Sequence, residues 1–374
     1  MKTVFLMLAV VTFTSSALLT ALARRWAPLL GYVDHPGERK IHRVPTPYGG
    51  GVAIYLSLFI GIAVVAVVTW LYGGSPPQAG VVAPGGEGAR LATGFAEVWA
   101  ALTASGSQLG LILGCSTVLF LVGVVDDRWG LSAPVKLFGQ LVVAFFLWRE
   151  GVRITAFLSL PGASLLLTVL WVVGLTNAFN FLDNMNGLAG GLACVSGAIF
   201  FTVAVQTEQL FVAATLAMVV GAVVGFLLFN YPRASIFLGD AGSLLLGFLL
   251  ATLAIKFQFY SSADPSRYRI FPIALPLLIF AIPIYDITSV VILRLRAGQS
   301  PLQADQRHFS HRLVALGMSQ ALAVFTILLL ACALGITATL LYLLNARGAL
   351  VMLTQAGAIL AVIVLLEVSA AKRG

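Results

Sequence analysis

An all-α, polytopic integral membrane protein of about eleven transmembrane helices is the fold class this sequence predicts. Three observations carry it. Of the 374 residues, 60% are hydrophobic and only 10% charged, a ratio that no water-soluble core requires. The apolar residues gather into repeated runs of about 18–22, each long enough to cross a bilayer. The ionisable residues collect in short strings between those runs. Backbone in lipid must bond to itself, so the runs read as helices rather than open sheets. Residues 1–374 read as one membrane domain, with no soluble segment large enough to fold alone.

The first span, 4–23, follows Met1-Lys2 and ends in Ala21-Leu22-Ala23, which mimics a secretory signal. Its length of about 20 residues and the Arg24-Arg25 pair that follows favour a retained helix ending on the cytoplasmic side. A second span covers 51–72. The segment 73–107, with SPPQAG and APGGEG, reads as a flexible external loop. Spans 108–125 and 133–149 flank VDDRWGLSAPVKL, 164–179 and 188–206 flank NAFNFLDNMNGLAGG, and 210–230 and 241–259 flank FLGDAGS. Span 271–293 holds Asp286 near Pro283, either a buried structural acid at a kink or a residue lining the site from beneath, with the structural reading slightly favoured. The loop 294–319 alternates basic residues, histidines and leucines, which favours a functional loop. Spans 320–344 and 349–369 complete the series, with Glu367 expected to snorkel to the surface.

An odd number of spans puts the termini on opposite sides. The polar strings VDDRWGLSAPVKL, NAFNFLDNMNGLAGG and FLGDAGS, with DHPGERKIHRVPTPYGGG from Asp34 and DQRHFSHRL from Asp305, then all fall on one side. Fourteen of the 22 basic residues fall on that side, as do all four histidines; the positive-inside rule makes it cytoplasmic. A net charge of +8 in so apolar a chain points to anionic lipid or an anionic substrate, not nucleic acid. Cys115, Cys194 and Cys332 lie inside apolar spans and read as packing residues, without disulfide or zinc spacing.

Charge at the ends of spans is where chemistry is sought. Asp126 and Asp127 are adjacent like charges that need a cation or basic group nearby. Asp240 is flanked by glycines that allow close approach and opens a helix whose N-terminal amides are expected to attract phosphate. Asn177, Asn180 and Asp183 recur at three-residue spacing, so one helical face can present all three. Asp183 or Asn184 could instead cap the next helix. Hard oxygen donors without clustered cysteine or histidine favour Mg2+, with Mn2+ as the alternative. Lys136, Arg294, Arg296, Arg307, Arg312 and two histidines suit a diphosphate, and a nucleotide-activated donor follows from that. No GxxxxGK[ST] string is present, which argues against ATP hydrolysis.

Five ordered strings resemble a known family: DHPGERKIHRVPTPYGGG, VVDDRWGLSAPVKLFGQ, NAFNFLDNMNGLAGG, FLGDAGSLLLG and IPIYDITSVVILRLRAGQSPLQADQRHFSHRLVALG. They resemble the bacterial polyprenyl-phosphate N-acetylhexosamine-1-phosphate transferases, and among these the undecaprenyl-phosphate GlcNAc-1-phosphate type. The resemblance, from Asp34 to Leu316, implies eleven helices in the bacterial inner membrane and an active site open to the cytoplasm. It implies transfer of a sugar 1-phosphate from a UDP-sugar to undecaprenyl phosphate, releasing UMP, at the first membrane step of envelope polysaccharide synthesis. It implies Asp240 and Asn180 as magnesium ligands, and Asp126 and Asp127 in acceptor activation with Lys136 nearby on phosphate. Asp183 would lie near the nucleotide, and Arg307, His308, His311 and Arg312 would hold donor phosphate and sugar. Asn177, Asn186, Gly239, Lys40 and His42 complete the expected substrate contacts. A homodimer is left open.

Two residues depart from the pattern. Asn186 stands where the family has an acid, and Ser310 where it has a histidine. The IHHHFE-like string of the MurNAc-pentapeptide enzymes is absent, which favours a GlcNAc-type donor, with another UDP-N-acetylhexosamine as the alternative. The rival readings are an inactive relative and a cation-linked transporter. A transporter should carry its acids near mid-membrane in paired repeats, whereas these sit at span ends.

Overall fold

The computed structural model describes residues 1–34, 44–72, 86–104, 106–155, 160–257, 271–300, 307–341, 344 and 346–371. Expected contacts Lys40 and His42 lie outside the described residues. The chain runs α1 (Lys2–Trp26), β1 (Val33–Asp34), β2 (Thr46–Pro47), α2 (Gly50–Leu71), α3 (Glu87–Thr103), α4 (Ser107–Trp129) and α5 (Ala133–Arg149). It continues through α6 (Pro161–Leu182), α7 (Leu188–Gln206), α8 (Leu210–Asn230), α9 (Gly239–Lys256), α10 (Phe271–Ile279) and α11 (Ala281–Arg296). The last elements are α12 (Phe309–Ala315), α13 (Gln320–Leu341) and α14 (Ala346–Ala371).

Among the described residues, 9 helices are long and apolar enough to cross a bilayer. The 17-residue α5 and the broken pair α10–α11 occupy the other two expected spans. The break falls at Phe280, after Pro276 and just before Pro283 in the first turn of α11. A proline lacks the N–H that would continue the ladder and is tolerated in a first turn. This is a multi-pass membrane protein, almost entirely helical.

The expected external loop is corrected in part: within 73–107 the chain forms α3. Leu91, Phe95, Val98 and Leu102 recur at three- and four-residue intervals and pack into the core from one face, the period of an amphipathic helix. The proline- and glycine-rich stretch before α3 hides that pattern.

Helix α9 is the axis of the bundle, buried along most of its length and packed by α2, α4 and α6. Close crossing requires small residues. A Cβ on Gly123 of α4 would lie 2.3 Å from the Ala241 nitrogen, and one on Gly51 of α2 would lie 2.2 Å from the Gly242 nitrogen. The start of α9 is therefore wedged against the end of α4 and the start of α2. β1 and β2 pair antiparallel, Val33 opposite Pro47 and Asp34 opposite Thr46. The Gly50 and Gly51 N–H groups donate to the Phe237 and Leu238 carbonyls, both at 3.0 Å, and fix the segment leading into α9.

Candidate active site

Four aspartates and one lysine meet at this end of the bundle. The C-terminal turn of α4 supplies Asp126 and Asp127, the first turn of α5 supplies Lys136, α9 opens with Asp240, and Asp183 follows α6. Lys136 Nζ donates to Asp240 Oδ2 at 2.7 Å and to Asp126 Oδ2 at 3.1 Å. The Asp126 and Asp240 carboxyls face each other at hydrogen-bonding range. Asp126 Oδ1 also accepts from the Leu131 N–H at 2.6 Å, which ties it to the α4–α5 turn.

Asp127 turns the other way. Its Oδ1 accepts the Asp240 N–H at 2.7 Å; its Oδ2 accepts the Ala241 N–H at 3.2 Å and the Tyr32 hydroxyl at 2.9 Å. Asp183 accepts the Gly239 N–H. The leading amides of α9 are thus occupied by carboxylates from two other helices. This corrects the expectation that they attract phosphate: the amides that a phosphate would use already bond carboxyl oxygens, satisfying the orphan donors of a helix start. Gly239 makes the arrangement fit. Its φ is 74°, and a Cβ there would lie 2.4 Å from Asp127 Oδ2.

The surrounding groups keep their protons or charges for physical reasons. Burial, then the neighbouring Asp127 charge, pushes the Tyr32 phenol far above its ordinary range, so it remains a donor. Burial and then Asp34 do the same for Tyr48, whose ring lies 5.6 Å from that of Tyr32. Asp183 retains some exposed surface but its carboxyl is set deep within protein. Burial first, then the Asp240 and Asp127 charges, pushes its carboxyl well above the usual carboxylate range.

The three-residue face divides. Asn177 pairs reciprocally with the Gln140 amide and donates to the Val173 carbonyl at 2.8 Å, so its polar atoms are engaged between α5 and α6. Asn180 donates to Ser243 Oγ at 3.0 Å, which leaves its carbonyl oxygen as the end available to a cation. Asn186 donates to the Pro232 carbonyl at 3.4 Å at the rim.

A second cluster adjoins the first through the α6–α7 turn. His308 Nδ1 lies 2.8 Å from Asp286 Oδ2, and the Phe309 N–H donates to Asp286 Oδ1 at 2.6 Å. Asp286, wholly buried, therefore orients His308 and caps α12. His308 lies against Phe181 with ring centroids 5.6 Å apart, and His311 against His308 at 6.4 Å. Ser310 Oγ donates to Asn184 Oδ1 at 2.7 Å, pinning α12 to the turn beside Asp183. The Arg307 backbone carbonyl accepts from Arg312 at 2.9 Å. The snorkelling expected of Glu367 is corrected: it is 14% exposed and accepts from Arg312 Nε at 2.9 Å and Tyr285 Oη at 2.6 Å.

Comparison with known proteins bears on this arrangement. The glycosyl transferase family 4 profile matches residues 109–258. A decaprenyl-phosphate N-acetylglucosaminephosphotransferase of Mycobacterium leprae is 30% identical over 345 residues, 86% of this chain and 78% of the relative. The chain belongs to glycosyl transferase family 4. A probable undecaprenyl-phosphate N-acetylglucosaminyl 1-phosphate transferase of Bacillus subtilis is 29% identical, covering 89% of this chain and 83% of the relative. An undecaprenyl-phosphate alpha-N-acetylglucosaminyl 1-phosphate transferase of Escherichia coli K12 is 27% identical, covering 86% and 79%. The family match takes in α4 to α9, and with them all four aspartates and Lys136. The network of Asp286, His308, Arg312 and Glu367 lies beyond it.

Sequence reasoning missed Tyr32 and Gln140 and gave Glu367 a surface role. No local pattern marks them. Each partner lies tens of residues away, and only packing brings the pairs together.

Proposed function

We propose that this chain transfers GlcNAc 1-phosphate from UDP-GlcNAc to a polyprenyl phosphate, undecaprenyl phosphate in the first instance, releasing UMP. The observation that carries the reading is the meeting of four carboxylates and one lysine at the end of a membrane bundle, directly beside a histidine–arginine arm. A lipid phosphate and a water-soluble sugar nucleotide can meet only at such a level. The names of the relatives favour the same chemistry. The acids sit at one end of their spans, which disfavours a cation path through the membrane. The basic residues concentrated at that end support a cytoplasmic site in a bacterial inner membrane.

The residues present suit a magnesium ion. Asp126, Asp127 and Asp240 crowd around one lysine, an excess of acid that a divalent cation relieves. Among the described residues no three His, Cys, Asp or Glu side chains form a metal site. Magnesium commonly takes only one or two carboxylates and completes its shell with phosphate and water. Asp240 and the Asn180 carbonyl would hold it, and bound there it neutralises charge on the donor diphosphate.

An oxygen of the acceptor phosphate attacks the donor's sugar-linked phosphorus. The new phosphoanhydride bond forms as the bond to the UMP oxygen breaks, and UMP leaves with that electron pair. A phosphate monoester has its second pKa at about 6, so the acceptor arrives largely as a dianion and needs little base catalysis. Lys136, held between Asp126 and Asp240, presents positive charge to the reacting phosphates, and such transfer depends chiefly on positioning and charge. Asp127 holds the start of α9, and thereby Asp240, in place.

Membranes of a strain lacking its own such enzymes, expressing this chain, are incubated with sugar-labelled UDP-GlcNAc, undecaprenyl phosphate and magnesium. Lipid-extractable label that EDTA prevents and UMP reverses supports the reading. Label only from another UDP-N-acetylhexosamine changes the donor, and no product from any UDP-sugar with folded protein overturns the assignment.

A further inference from the structure

Arg312 belongs to the arm expected to hold the donor, yet its guanidinium is already engaged inside the protein. Nε donates to Glu367 Oε1 at 2.9 Å, Nη2 to Ser289 Oγ at 2.8 Å and Nη1 to the Arg307 carbonyl at 2.9 Å. Its plane lies over Tyr285, 5.9 Å from the ring centroid, and the Tyr285 hydroxyl donates to the second oxygen of Glu367 at 2.6 Å. Arginine's fork is suited to such fixed multidentate contacts. Both members of the ion pair are largely shielded, at 18% and 14% exposure, where a charge-assisted bond outweighs its surface counterpart.

The bonds join three elements. Ser289 and Tyr285 belong to α11, Arg312 to α12 and Glu367 to α14. The short α12 carries His308 at its N-cap and His311 in its first turn. A seven-residue helix cannot hold itself in place. It is held at its start by Asp286 and Ser310 and towards its end by Arg312.

We propose that Glu367 is a positioning residue for donor binding: through Arg312 and Tyr285 it latches α12 to the last membrane helix and so fixes His308 and His311 relative to the acid–lysine cluster. Arg312 acts here as the latch rather than as a phosphate clamp. The inference rests on the proposed function for the donor's identity, whereas the latch itself rests on geometry alone.

The test uses full-length protein in lipid nanodiscs, with Glu367→Ala, Glu367→Gln, Arg312→Ala and the double Glu367→Ala/Arg312→Ala variant. Hydrogen exchange reads the latch without activity. Glu367→Ala should speed exchange of the amides of 309–316 while leaving the start of α9 protected. Unchanged exchange at 309–316 overturns the latch. Kinetics then read its purpose. Glu367→Ala should raise KM for UDP-GlcNAc about ten-fold, the loss of roughly one charge-assisted bond, with KM for undecaprenyl phosphate within about two-fold. Glu367→Gln, which keeps one acceptor oxygen, should lie between Ala and wild type. The double variant should be no worse than Arg312→Ala, because both changes break the same contact. Equal effects on both substrates, or full additivity, overturn the donor-positioning role. Wild-type protein that makes no product from any UDP-sugar would instead sink the proposed function and the donor assignment with it, while the exchange result stands separately. Should Glu367→Ala fail to fold, Glu367→Gln and Tyr285→Phe give the same two readouts at smaller amplitude, and no change in either refutes the proposal.

Discussion

Replacing Gly239 by alanine tests whether the start of α9 is a carboxylate-capped helix or a phosphate cradle. Two costs can be worked from the structure. The residue has φ 74°, and a Cβ in the left-handed region costs about 1–2 kcal/mol. The added methyl would lie 2.4 Å from Asp127 Oδ2 and 2.8 Å from Oδ1. It therefore displaces the carboxylate that accepts the Asp240 and Ala241 amides. Losing a helix cap costs about 0.5–2 kcal/mol, for a total of about 1.5–4 kcal/mol. Asp240 shifts with the turn that carries it, and misplacement by about 1 Å can lower a rate about 10²-fold. The assay pairs thermal unfolding of purified protein with turnover of UDP-GlcNAc, at magnesium concentrations high enough to exclude a simple binding defect. The expected result is a lower unfolding midpoint and a kcat loss of about 10²-fold. Wild-type turnover together with a wild-type midpoint would refute the capping argument outright.

Further outcomes follow from the same geometry. Asp240→Ala should abolish magnesium-dependent turnover in a protein that still folds; normal activity would overturn the metal assignment. Lys136→Met removes the cation between Asp126 and Asp240 and should lower kcat at least about 10²-fold, so an unchanged rate would make the lysine structural. Tyr32→Phe removes one of three donors on Asp127 and should cost about 1 kcal/mol of stability, measured as a small fall in the unfolding midpoint; no fall would mean that the bond contributes nothing. The raised Asp183 carboxyl gives a pH test with a defined sign. The folded state holds that proton more tightly than the unfolded chain, so stability in EDTA should fall as pH rises from the ordinary carboxylate range of about 4 through the folded value. Asp183→Asn should reduce that slope, and an unchanged slope would assign it to another group.

Much of the fold was legible because its cause is local. A run of about twenty apolar residues has few alternatives to a membrane helix, and among the described residues 9 helices meet that description. Where two local signals competed, the composition of the loop obscured the helix. The prolines and glycines before α3 outweighed the apolar residues Leu91, Phe95, Val98 and Leu102, which form one packed face.

The chemistry of the site was legible in kind: acids, a lysine and histidines at the ends of spans, with glycines beside them. What each acid does was not. Asp126 and Asp127 are neighbours in sequence, yet one faces Lys136 and the other caps α9, because consecutive residues on a helix point about 100° apart. Asn177 and Asn180 share a face, yet one is engaged by Gln140 and the other bonds Ser243.

By itself the sequence determined a multi-pass helical protein, the placing of the candidate acids, lysine and histidines at the ends of spans, and the residue types available there. These follow from transfer of side chains between lipid and water, which each segment meets independently. Only the tertiary structure decided which carboxylates cap α9, that Asp286 holds His308, and that Glu367 turns inward to Arg312. Those pairings join groups 22 to 114 residues apart. They depend on how closely helices cross, as where Gly123 admits the backbone of Ala241, and a hydrogen bond exists or fails within a fraction of an ångström.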